Sequence, residues 1–195
     1  GVTGVQTCAL PICVEAEVHA TPRTGSARDP SELDTDVRVR VTRQGQTVTT
    51  GAVSITSARG KLALVLDRDG RWTGTIDGYT QVYVVDVSSG ADRATGIRVD
   101  GPDLHAITKP TAGAAIDASG PLDIAWQRAE TADVATLRVD GTFVLSTPDS
   151  GTYTLAAGAL GGDGPRTQRL RLARSHALAP TGAVVGSSVV VTVEK

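Results

Sequence analysis

Val37-Arg38-Val39-Arg40-Val41-Thr42 decides the fold class. Valine returns at every second position, and the residues between are charged or hydroxylated. A period of two places the valines on one face of an extended strand and the arginines on the other. Working outward, Gln44-Gly45 is a turn, and Val48 followed by Ala52, Val53 and Ile55 supplies the next strand. Leu62, Leu64 and Leu66 alternate again. Asp67-Arg68-Asp69-Gly70 is a tight turn in which Gly70 can take positive φ. Trp72, Gly74 and Ile76 then share a face, Gln81 to Val87 is rich in Val and Tyr, and Gly96 to Asp100 is a short strand. Helical periodicity is almost absent.

Gly101-Pro102-Asp103 breaks the pattern, and Lys109-Pro110 follows after His105 and Ile107. Alternation restarts at Leu122, Ile124 and Trp126. It continues through Val134 to Val139, Thr142 to Leu145, Thr152 to Leu155, Leu170 and Leu172, and closes at Val189 to Val193. Short strands at this spacing with turn residues between them predict β-sandwiches. The break places a boundary near residue 108, with one unit over 14–107 and a second over 108–195.

Hydrophobic residues make up 40% of the 195, enough for a buried core, but aromatics are only 3%. The core is therefore expected from Val, Leu, Ile and Ala, with Trp72 and Trp126 as its rare large anchors. Arg outnumbers Lys by 16 to 3, a bias of the kind GC-rich bacterial genomes impose. Net charge is −2, with acidic and basic residues interspersed, so no basic block marks a nucleic-acid surface. No apolar run reaches the 18 residues of a membrane-spanning helix.

Residues 2–12, Val-Thr-Gly-Val-Gln-Thr-Cys-Ala-Leu-Pro-Ile, resemble the in-frame translation of a short-read sequencing adapter. On that resemblance residues 1–13 are adapter-derived and are expected to be disordered and outside any core. Cys8 and Cys13, the chain's two cysteines, are then set aside, and with them disulfides, thiolate metal sites and a cysteine nucleophile. The chain contains no Met, and a signal peptide ahead of Val14 is left open.

Val41-Thr42-Arg43-Gln44-Gly45-Gln46-Thr47-Val48-Thr49-Thr50-Gly51-Ala52-Val53 resembles the bacterial Ig-like modules of invasin-type proteins. Thr47 stands where those carry Pro, and one extra residue precedes Gly51. Asp69 to Ile76 and Tyr83 to Val87 resemble later strands of the same modules, a pattern shared with carboxypeptidase-regulatory-like domains. In the second half, Pro121-Leu122-Asp123-Ile124-Ala125-Trp126 resembles the Trp-bearing strand of fibronectin type III modules. Leu170 to Ser175 and Ser188 to Val193 resemble the last two strands of that module. Asp149-Ser150-Gly151-Thr152-Tyr153 resembles an Ig tyrosine corner, although Leu155 stands where the Cys would be. These resemblances imply binding, spacing or adhesion rather than catalysis.

Candidate chemistry is sparse. Asp67 and Asp69 open like a calcium loop, but Arg71 and Gly78 occupy positions where an EF-hand needs oxygen ligands, so a hairpin turn is expected. Asp34 and Asp36 precede a strand and read as solvated edge residues. His19, His105 and His176 lack metal spacing, and His105 is placed to support contact between the units. No Gly-x-Ser-x-Gly elbow is present, and Glu occurs five times. Trp72, Tyr79 and Tyr83 are the candidates for stacking on a sugar ring, against a buried-anchor reading for Trp72 and Trp126. Arg38, Arg40 and Arg43, and likewise Arg169, Arg171 and Arg174, read as solvated strand faces.

The sequence therefore predicts an all-β protein of two tandem Ig-like or fibronectin III-like sandwiches, extracytoplasmic and bacterial. The expected role is structural, spacing or adhesive, without enzyme activity, cofactor or metal. A surface glycan or another envelope protein is the expected partner. The alternative is a carbohydrate-binding module of a larger extracellular enzyme.

Overall fold

The computed structural model describes residues 12–140, 142–161, 166–178 and 186–195. The chain is all-β: among the described residues the only helical turn is a 3-10 turn at Pro30–Glu32, capped by Asp29. The first strands are β1 (Cys13–Pro22), β2 (Leu33–Arg43), β3 (Gln46–Thr47), β4 (Ala52–Ser57) and β5 (Gly60–Ala63). They are followed by β6 (Val65–Leu66), β7 (Trp72–Asp77), β8 (Val82–Ser89) and β9 (Asp92–Asp100). After the break at 101–105 come β10 (Ala106–Lys109), β11 (Leu122–Gln127), β12 (Val134–Val139) and β13 (Thr142–Pro148). The last are β14 (Thr152–Leu155), β15 (Leu170–Leu178) and β16 (Ser188–Glu194).

A nine-stranded sheet runs in the order β13-β12-β15-β16-β1-β2-β7-β6, with β3 paired to β2. Two smaller sheets, β5-β4-β8-β9 and β10-β11-β14, cover one of its faces. The alternation in β2 dictates this: Val37, Val39 and Val41 lie opposite Val18, Ala16 and Val14 of β1, and all are buried. They pack against Val53, Ile55, Tyr83, Val85, Val87, Ile97 and Val99 of the four-stranded sheet. On the other parity Arg38 and Arg40 face solvent opposite Glu17 and Glu15, as a half-buried strand requires. The second core is smaller, with Ile124, Trp126 and Leu155 facing Ala135, Leu137 and Leu172. The tight turn also forms, with Gly70 at φ 76.

The structure departs from a bead-like tandem arrangement at its last strand. By sequence, β16 closes the second sandwich. Here it lies between β15, antiparallel, and β1, parallel. Its inward residues Val189, Val191 and Val193 enter the first core. The strands from β10 to β15 thus lie in sequence between β9 and the strand that completes the first core. A period of two says that a strand has an apolar face, not which sheet that face will meet.

The N-terminal side also needs correction. Ile12 is 1% exposed and belongs to the first core, and Cys13 begins β1 opposite Thr42. Cys13 is disulfide-bonded, so disulfide chemistry returns at this position. Cys13 is held because the β1–β2 ladder extends to the very start of β1, and Ile12 by its burial in the first core. Residues 2–11, which carry the rest of the adapter resemblance, lie outside the described residues.

Candidate functional site

Four charged side chains converge at the seam where the two smaller sheets meet above the large one, while the other buried carboxylate, Glu194, pairs with Arg171 on β15. Arg174 projects from β15 with the parity of Leu172 and is fully buried. Its Nε donates to Asp149 Oδ2 at 2.9 Å, and its Nη1 donates to both the carbonyl and Oδ1 of Asp103 at 3.0 Å. Its Nη2 reaches the Glu130 carbonyl and lies 2.8 Å from Asp149 Oδ2. Asp149 also accepts from Trp126 Nε1 and from the Ala132 amide, both at 2.7 Å. Arg128 forms a second ion pair with it at 3.2 Å.

Asp103 sits on the crossover from β9 to β10 and accepts from the Ala129 and Glu130 amides. Burial disfavours ionisation of both carboxyls. The Ala129 and Ala132 amides, the Trp126 indole and the Arg174 guanidinium outweigh it and hold both below the usual carboxylate range. Two cations and two anions therefore share the seam, and the carboxylates are consumed by internal donors.

The crossover itself is tightly held. Tyr79 donates its hydroxyl to the Pro102 carbonyl at 2.5 Å. A Cβ on Gly101 would run into that hydroxyl and into Val191, so only glycine lets the backbone pass. His105, two residues after Asp103, is buried and its Nε2 donates to the Leu172 carbonyl at 2.9 Å. Burial pushes the His105 ring down to about 4 from 6.5, the Arg174 charge adds to this, and the Leu172 carbonyl opposes it. The lysine at 195 adds weakly in the same direction as Arg174, and Asp103 opposes.

This has a measurable consequence. The unfolded chain takes up a proton at His105 near pH 6.5, and the folded chain resists until about 4. The His105 contribution to stability is therefore expected to fall as pH drops through that window and to level off below it, where protonation of the depressed Asp103 and Asp149 carboxyls takes over. In His105→Gln, whose amide still donates to Leu172, urea midpoints measured across pH 7 to 4 should lose this slope. An identical slope in wild type and variant would refute the assignment.

The residues singled out by sequence lie elsewhere. Asp67 Oδ1 accepts from the Asp69 and Arg71 amides, both at 2.9 Å, which is the geometry of a turn. No cluster of three or more His, Cys, Asp or Glu side chains suited to a metal ion occurs among the described residues. Trp72, Tyr79 and Tyr83 are 7%, 3% and 0% exposed and sit in the first core, so none offers a face to a sugar. The Tyr79 and Tyr83 rings pack on each other, 6.2 Å apart and tilted by 56°. Tyr153 is 36% exposed and forms no buried corner. Arg174, expected on a solvated face, is the correction that matters most. Its shared parity with Leu170 and Leu172 was the signal in the sequence.

No family model matches the chain, and comparison with curated proteins gives no match. Among solved structures, the chain is similar to a 1.5-MDa bacterial ice-binding adhesin studied for host cell surface retention. The identity is 17% and the TM-score 0.31, over 94% of this chain and 64% of that one. It is also similar to a Ca2+-stabilized adhesin with which an Antarctic bacterium binds ice, at 17% identity and a TM-score of 0.30, over 97% and 49%. A third likeness is to the fibronectin(III)-like modules of Clostridium thermocellum CbhA, at 15% identity and a TM-score of 0.29, over 96% and 93%. The chain thus spans only part of both adhesin structures, and the strand order given above comes from its own ladders.

Proposed function

We infer that this chain is a non-catalytic structural segment, a spacer or adhesive part of a secreted or cell-surface bacterial protein. The observation that carries the reading is the seam. The ionised groups of the seam are spent on joining two sandwiches, with Arg174 tying the crossover at Asp103 to the β13–β14 turn at Asp149. Groups neutralised in this way are neither poised to transfer protons nor open to a substrate. In this reading residues 14–107 and 108–195 are the two modules, and β16 is shared between them.

The test uses the intact chain. A single calorimetric transition is expected, unmoved by EDTA or added calcium, since Asp67 and Asp69 serve a turn. No hydrolysis of polysaccharide, ester or peptide substrates is expected. Turnover by the purified chain would overturn the non-catalytic reading, and two well-separated transitions would overturn the joined-module reading. Specific, saturable retention of the folded chain on a polysaccharide would favour a carbohydrate-binding module instead.

A further inference from the structure

We propose that the parallel ladder between β1 and β16 is the force-bearing element of the chain. Tension between its two ends crosses this ladder in shear, and everything folded between the two strands is shielded until the ladder breaks. The proposal deepens the spacer reading and depends on it only for its use in the parent protein.

The argument is one of direction. β1 runs forward from Cys13, and β16 runs forward to Glu194 alongside it, in register from Glu15 opposite Ser188 to Ala20 opposite Val193. A pull on the N-terminal side draws β1 backward along its own axis. A pull on the C-terminal side draws β16 forward. Because the strands are parallel, these displacements are opposite and lie along the ladder. All six register pairs must then yield together, whereas strands peeled from one end lose their pairs one at a time.

Neither strand is a free edge. β1 is held on its other side by β2 along its whole length, and β16 by β15. The inward rows resist slippage as well. Ala16, Val18 and Ala20 lie opposite Val189, Val191 and Val193, and all six are buried. A slip of one residue would turn an apolar row toward solvent, so sliding has no low-energy intermediate register. The second sandwich enters and leaves the fold between β9 and β16. It therefore lies off the line of force while the ladder holds.

Single-molecule force spectroscopy on the full chain, with handles at both ends, tests this. The expected record is one dominant rupture releasing the 165 residues from 23 to 187, about 55–60 nm at roughly 3.3–3.6 Å per residue. A first event of about 30 nm at lower force, the length of residues 101–187, would show that the insertion yields before the ladder and would overturn the proposal. Val190→Pro removes one backbone donor from β16 at an outward-facing position and should lower the rupture force at least about twofold. An unchanged force in a folded variant would also overturn it. If that variant does not fold, the wild-type record decides alone. A two-step record leaves the non-catalytic reading intact, because that reading fails only on enzymatic turnover.

Discussion

Arg174→Ala is expected to lower the unfolding free energy by about 3–5 kcal/mol, the scale on which one partner is lost from a buried ion pair. The size follows from what the guanidinium leaves behind. Asp149 is buried and loses two contacts from Arg174, and Asp103 loses its charge partner. The carbonyls of Asp103 and Glu130 each lose a donor. Water cannot readily replace these donors at a position with no solvent exposure. Restoring apolar volume alone does not cure the defect, so Arg174→Met should be destabilised to a similar extent. Combining Arg174→Met with Asp149→Asn removes one of the stranded charges and should recover part of the loss. Urea unfolding of the four proteins checks the order. If Arg174→Ala sits within about 0.5 kcal/mol of wild type, the range typical of surface substitutions, the seam is not a stabilising joint.

Trp126→Ala is expected to cost about 3–5 kcal/mol, the range for removing a large aromatic from a core. The second core has few large side chains, so Ile124, Leu137, Leu155 and Leu172 cannot close the void without moving strands. Trp126→Phe separates volume from hydrogen bonding. It keeps most of the packing but strips Asp149 Oδ1 of its indole donor, which should cost about 1–3 kcal/mol. Because Trp126 and Arg174 both serve Asp149, the double variant is expected to lose less than the two single losses added together. Additive losses would mean that the indole and the guanidinium act independently.

The all-β class was legible because alternation is a local property. Val37 to Val41 states which side of its strand is wet before any partner is known. The same period runs through Val14, Ala16, Val18 and Ala20 with Glu15, Glu17 and His19 between them. The first residue of that strand, Cys13, falls within the stretch that resembles adapter sequence, which masks the strand. The partner of β16 was not legible. β1 and β16 meet across nearly the whole chain, and no local pattern distinguishes a strand that completes its own module from one that completes another.

The site was half legible. His105 was placed at the contact between units, and Arg174 carried its burial in its parity with Leu172. Asp103 and Asp149 lie in irregular segments where no period exists. Their role comes from what converges on them in space. The aromatic candidates failed for a compositional reason. In a chain with so few large rings, the core takes Trp72, Tyr79 and Tyr83, and the surface keeps Tyr153.

The interleaving of β16 also sets an order of assembly during synthesis. The smaller core is drawn from strands between residues 106 and 178 and can close before β16 has been made. The larger core, although most of it is translated earlier, keeps an open slot beside β1 until residues 188–194 leave the ribosome. Until then Val14, Ala16 and Val18 border an unpaired strand edge, the kind of surface that recruits other chains. The half made first is therefore completed last, and a nascent chain stalled before β16 is the species most in need of a chaperone.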